Sequence, residues 1–209
     1  MNDQPRIVFV GNGRCYHTMD WCRSVRPCLP PDSWTFLTDC VESEGHIRIL
    51  TPADRYEMLI PIDGLLLREQ SALANRWRNL LKLLLLPLQA AVLRARIGDP
   101  RGRVIHAHTF YYGLLCRAAH LPYLFTPQGG ELTERPRESG LYRCLMRWAL
   151  GGATFSFVDS ERMRAAAAEL GCVAVGVFQY GIDTGTCRLA DTGKPRRRLV
   201  SNRGIEANY

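Results

Sequence analysis

Residues 103–131 read RVIHAHTFYYGLLCRAAHLPYLFTPQGGE. This stretch decides the fold. Two short runs, 103–107 and 122–126, are apolar and rich in β-branched or aromatic side chains, as strands are. The segment between them, 110–119, has the length of a short helix. Strand, helix and strand in so few residues make a crossover unit whose two strands run parallel.

The same alternation continues outward in both directions. Further strand candidates are 6–10, 46–51, 57–62, 153–158 and 173–178, and helical candidates lie near 17–26, 68–97, 139–150 and 161–170. Helix 161–170 is the best defined. Ser160 can cap it, Glu161 suits its first turn, alanines fill it and Gly171 ends it. The expected class is α/β, a Rossmann-like parallel sheet with helices on both faces.

Composition agrees with that class. The 209 residues are 46% hydrophobic, 22% charged and 9% aromatic, which excludes disordered and collagen-like chains. The net charge is +7, yet only Lys82 and Lys194 are lysines, and the arginines spread from Arg6 to Arg203. Without a basic cluster interleaved with aromatics, no nucleic-acid partner is expected. The eight cysteines form no C-x-x-C pair, and residues 6–10 are too short for a secretory signal core. Reduced, mostly buried cysteines and a cytoplasmic location are expected.

Residues 80–93, LLKLLLLPLQAAVL, form the most apolar run. It falls short of the roughly 20 apolar residues of a membrane span. It reads as a buried helix kinked at Pro87, packed on the sheet. Arg76, Arg78, Lys82, Arg94 and Arg96 flank or interrupt it, which also suits a peripheral contact with anionic headgroups at the inner membrane face.

In a doubly wound sheet, ligands sit at the carboxyl ends of the strands, so the loops there matter most. Gly11-Asn12-Gly13 follows the first strand and suits either a tight turn or close approach of backbone N–H groups to a phosphate. Tyr16 stands where a dinucleotide fingerprint needs glycine or alanine, and no G-K-[ST] follows. Neither Asp32 nor Asp39 ends a recognisable second strand, where a ribose-binding acid belongs, so an NAD-dependent oxidoreductase is disfavoured. His106 and His108 alternate on one strand face and suit acid–base work, sugar hydroxyls or a structural role. Zinc needs a third ligand that spacing does not supply, so no metal is expected, and no cofactor. Gln128-Gly129-Gly130-Glu131 forms a loop able to contact a polar ligand or to serve as an ordinary turn. Gln179 to Asp183 is a turn ahead of a polar, basic linker at 183–198.

Taken in order, these segments resemble the N-terminal domain of the family 4 glycosyltransferases, which have the GT-B fold. The resemblance rests on Val104-Ile105-His106-Ala107-His108, on Pro122 to Glu131, on Val158-Asp159-Ser160-Glu161 through Gly171, and on Tyr180-Gly181-Ile182-Asp183. It implies a retaining transfer of sugar from a nucleotide-sugar donor to a saccharide or lipid-linked acceptor. It places Gly11, Asn12 and Gly13 near the donor diphosphate, Gln128, Gly129, Gly130 and Glu131 beside the transferred sugar, and His106 and His108 on the acceptor side. Many members carry histidine where this chain has Gln128, and glutamine cannot act as a charged acid. No catalytic residue is assigned. Residues 1–182 are expected to form the acceptor-side domain, and 183–209 the interdomain linker and the first strand of a second domain. The resemblance puts the main donor-binding groups in that second domain, so the isolated chain is expected to be inactive. A non-enzymatic nucleotide- or carbohydrate-binding domain working with a partner chain is the alternative.

Overall fold

The computed structural model describes residues 7–30, 32–41, 56–65 and 72–179. The strand expected at 46–51 and the segment from 180 onward lie outside these residues. The first compact unit of the chain ends at Gln179.

Among the described residues, seven strands form one sheet. They are β1 (Ile7–Val10), β2 (Trp34–Thr38), β3 (Tyr56–Met58), β4 (Val104–His108), β5 (Leu124–Thr126), β6 (Phe155–Val158) and β7 (Val175–Val177). Their order is β3-β2-β1-β4-β5-β6-β7, and every pairing is parallel. The direction of winding reverses between β1 and β4, which pair Ile7 with Val104 and Val10 with Ala107. That reversal opens a crevice at the carboxyl edge.

Helix α1 (Tyr16–Val25) packs on one face through Met19, Trp21 and Cys22 against Phe9, Trp34 and Phe36. Helices α2 (Ala72–Ile97), α3 (Phe110–Ala118), α6 (Gly140–Leu150) and α7 (Glu161–Glu169) cover the other. There Leu93, Ile97, Leu115, Met146 and Ala167 bury against Val8, Val10, Ile105 and Phe125. Each large side chain so buried contributes about 1.5–3 kcal/mol. The short helices α4 (Gly129–Thr133) and α5 (Arg135–Glu138) lead into α6. Ser160 caps α7 by accepting from the Met163 N–H, and Gly171 ends it at φ +86°.

Three sequence expectations need correction. Strand β2, WTFLT, is not among the strands expected from the sequence. All five of its residues are buried because the strand lies inside the sheet. Asp39 therefore does directly follow a second strand. Helix α2 includes Pro87, and only part of it is buried. Leu81, Leu93 and Ile97 are buried, whereas Leu73, Trp77, Leu80, Leu84 and Leu88 are exposed. Among the described residues, no helix is long and apolar enough to cross a membrane.

Candidate functional site

Three of the four loops singled out meet at the carboxyl edge of β1, β4 and β5. The Gln128 Nε2 lies 2.9 Å from the Cys15 Sγ, joining the β5 loop to the β1 loop. The Glu131 carboxylate accepts from the N–H groups of Gln128 and Phe110, both at 2.9 Å, joining the β5 loop to the start of α3. Burial pushes the Glu131 carboxyl pKa up, against those two donors. Glu131 therefore braces two helix starts, where a negative charge is favoured. The fourth loop, Tyr180 to Asp183, lies outside the described residues.

The β1 loop is held by its own hydrogen bonds. Gly11 donates to the Leu37 carbonyl, Gly13 to Thr38 Oγ1, Arg14 to Asn12 Oδ1 and Cys15 to the Asn12 carbonyl. The glycines have a packing reason too. A Cβ on Gly11 would lie 2.6 Å from Thr18, and one on Gly13 would lie 2.7 Å from the Cys40 carbonyl oxygen. The loop thus presses α1 onto the end of β2, and the first turn of α1 receives no side-chain cap from Cys15. Arg14 reaches along this edge, with its guanidinium 3.8 Å from Cys40 Sγ. No sequence motif marks Arg14 or Cys15; only the fold brings Cys15 beside Gln128 and Arg14 towards Cys40.

His106 and His108 do share one face of β4, as their spacing predicts. That face lies beneath α1, and the two residues are only 5% and 2% exposed. Their ring centroids are 4.3 Å apart, with Trp21 at 5.5 Å from His106 and 5.6 Å from His108. His106 Nε2 meets Thr126 Oγ1 at 2.8 Å, while His108 Nε2 is buried with no hydrogen-bond partner among the described residues. Burial draws the His106 pKa down to about 4 and lowers His108 as well, helped by its neighbour. Both imidazoles are neutral at pH 7.

The next residue, Thr109, has φ 69° and ψ 158°, a conformation almost confined to glycine. Its N–H donates to the Thr126 carbonyl and its carbonyl accepts from Gly113, so the turn into α3 is pinned at both ends.

Asp39 stands where a ribose-binding acid belongs, but it is fully buried. Its carboxylate pairs with the Lys82 Nζ at 3.2 Å and accepts a short hydrogen bond from the Tyr112 hydroxyl. The ammonium also lies 4.3 Å from the centre of the Tyr111 ring. Burial draws the Lys82 pKa down, and Asp39 opposes that shift. Asp39, the acid that directly follows β2, is thus engaged in tying β2 to α2.

Comparison with known proteins accords with this geometry. A search of curated proteins finds no match. Among solved structures, the chain is similar to a UDP-glucosyltransferase from Polygonum tinctorium, described as capable of glucosylating indoxyl and 3,4-dichloroaniline. The TM-score is 0.56 at 13% identity, over 95% of this chain and 56% of that one. The chain thus spans little more than half the length of that enzyme. The family model described as "Glycosyl transferase 4-like domain" matches residues 37–180, well over half of the chain. The chain belongs to the glycosyl transferase 4-like domain family.

Proposed function

We propose that this chain is the acceptor-side domain of a transferase that moves a sugar from a nucleotide-sugar donor to a saccharide or lipid-linked acceptor. The observation that carries the reading is the meeting of the β1, β4 and β5 loops at the winding reversal, held by the Gln128–Cys15 and Glu131–Phe110 contacts. Gly11, Asn12 and Gly13 shape the edge that meets the diphosphate, and Arg14 supplies charge there. Gln128, Gly129, Gly130 and Glu131 line the side of the transferred sugar. His106 and His108 support this edge from beneath α1, so the acceptor meets the surface they hold up. The exposed leucines of α2, with Arg76 and Arg94 close by in sequence, support a peripheral membrane contact.

Because stabilisation of the leaving diphosphate is electrostatic preorganisation, most of it falls to donor-binding groups outside residues 1–182. The 209-residue chain alone is then silent. The test is release of nucleoside diphosphate from a panel of nucleotide sugars, with and without membrane extract as acceptor source. Turnover by the chain alone at a rate typical of enzymes, roughly 1 per second or more, overturns the reading. Tight binding of free nucleoside diphosphate without turnover favours the partner-dependent binding domain instead.

A further inference from the structure

The helical face of the sheet holds a cavity of about 260 Å³ between α2, α3 and α6. It opens beside the carboxyl edge, because α3 starts there and α2 and α6 run antiparallel to the strands. Its walls are apolar, with Leu86, Leu114 and Leu145 inside and Leu83 and Leu141 exposed at the lip. Among the described residues, the charged ones lining it are Lys82 and Arg135, both cationic. The Tyr111 hydroxyl is buried with no hydrogen-bond partner among the described residues.

We infer that this cavity binds a single aliphatic chain carrying an anionic headgroup. A methylene is close in size to a water molecule, about 30 Å³, so the space holds about nine of them. Lys82 is already paired with Asp39, so the exposed Arg135 at the lip sets the sign of the headgroup. The orphaned Tyr111 donor asks for an acceptor oxygen, since an unsatisfied buried hydroxyl is costly. The exposed leucines at the lip continue the apolar path outward, which favours an extended chain over a compact ring. Such a ligand is either a free amphiphile or the lipid phosphate of a membrane-held acceptor. The site is distinct from the sheet's carboxyl crevice, so its failure leaves the transfer reading, tested by donor turnover, unaffected.

The test titrates the full chain with decyl phosphate below its micelle concentration, followed by calorimetry. Saturable binding is expected, weaker for decanol and absent for inorganic phosphate. Tyr111→Phe removes one hydrogen bond and weakens decyl phosphate about 3–10-fold. Leu145→Trp fills the cavity and weakens it about tenfold or more. Arg135→Gln, at an exposed position where folding is not at issue, weakens decyl phosphate but leaves decanol unchanged. Vesicles with and without a polyprenyl phosphate separate the two sources: capture that depends on that lipid assigns the membrane-held form, and binding of decyl phosphate alone assigns the free amphiphile. Three results overturn the inference. One is no saturable binding below millimolar concentration. Another is affinity unchanged by both Tyr111→Phe and Arg135→Gln. The last is tighter binding of 1-naphthyl phosphate than of decyl phosphate, which assigns the cavity to an aromatic ring.

Discussion

Acid should loosen this domain through the histidine pair under α1. Burial holds the His106 pKa at about 4, against about 6.5 in the unfolded chain. Below pH 6.5 the unfolded state takes up a proton that the folded state refuses until pH 4. Stability is therefore intact above pH 6.5 and is lost progressively as pH falls towards 4. For His106 alone the loss is about 2 kcal/mol at pH 5 and about 3 kcal/mol by pH 4. His108 shifts in the same direction and adds to it. With a urea slope of about 1–3 kcal/mol per molar, the midpoint should fall by about 1 M between pH 7 and pH 5. Urea melts followed by tryptophan fluorescence suit the measurement, since Trp21 stands against both rings. His108→Phe removes an unsatisfied ring nitrogen and should leave the pH 7 midpoint unchanged or higher. The double variant with His106→Phe should lose most of the pH dependence. A wild-type midpoint that does not move from pH 7 to pH 5, or a double variant that falls as steeply, would refute the reasoning.

Three further outcomes follow from the same contacts. Lys82→Met leaves the Asp39 carboxylate buried without a counter-ion and should cost about 3–5 kcal/mol, with most of it restored by adding Asp39→Asn; equal melts for the single and double variants would show that the charge pair does not hold β2 to α2. Thr109→Gly relieves about 1–3 kcal/mol of backbone strain against about 0.5–1 kcal/mol of glycine entropy, so the melting temperature should hold or rise, and a clear drop would mean the Thr109 side chain matters more than its backbone. Gly13→Ala drives a methyl against the Cys40 carbonyl and should destabilise by about 1–3 kcal/mol. If Gly13 served ligand approach alone, the alanine variant would melt like the wild type.

The layers of the fold were legible because parallel strands buried on both faces read as apolar runs. RVIHA, PYLFT and ATFSFV announce themselves in this way. WTFLT has a composition much like that of PYLFT, and only the finished core shows that all five of its residues are buried. Missing β2 hid the position of Asp39, and so hid the one carboxylate that mimics a nucleotide-binding residue. Lys82 stood out as a charge inside a leucine run. Its partner lies 43 residues earlier, and no spacing rule connects them. The loops after β1, β4 and β5 were found because topology assigns ligands to strand ends. Which of their groups are spent on bracing was invisible, since the Glu131–Phe110 bond and the Gly11 and Gly13 amides find their partners only through the tertiary fold.

The pairing of β1 with β4 also bears on how the chain is made. It joins residue 7 to residue 104, so β1 lacks one neighbour until nearly a hundred further residues have emerged. From β4 to β7 the strands pair in chain order, each through a local crossover. That later half can assemble from contacts close in sequence, which form fast. At synthesis rates of about 5–20 residues per second, β1, α1 and β2 wait for seconds with apolar surface uncovered. The stretch from β1 to β2 is thus the part of the nascent chain that waits longest for its neighbours.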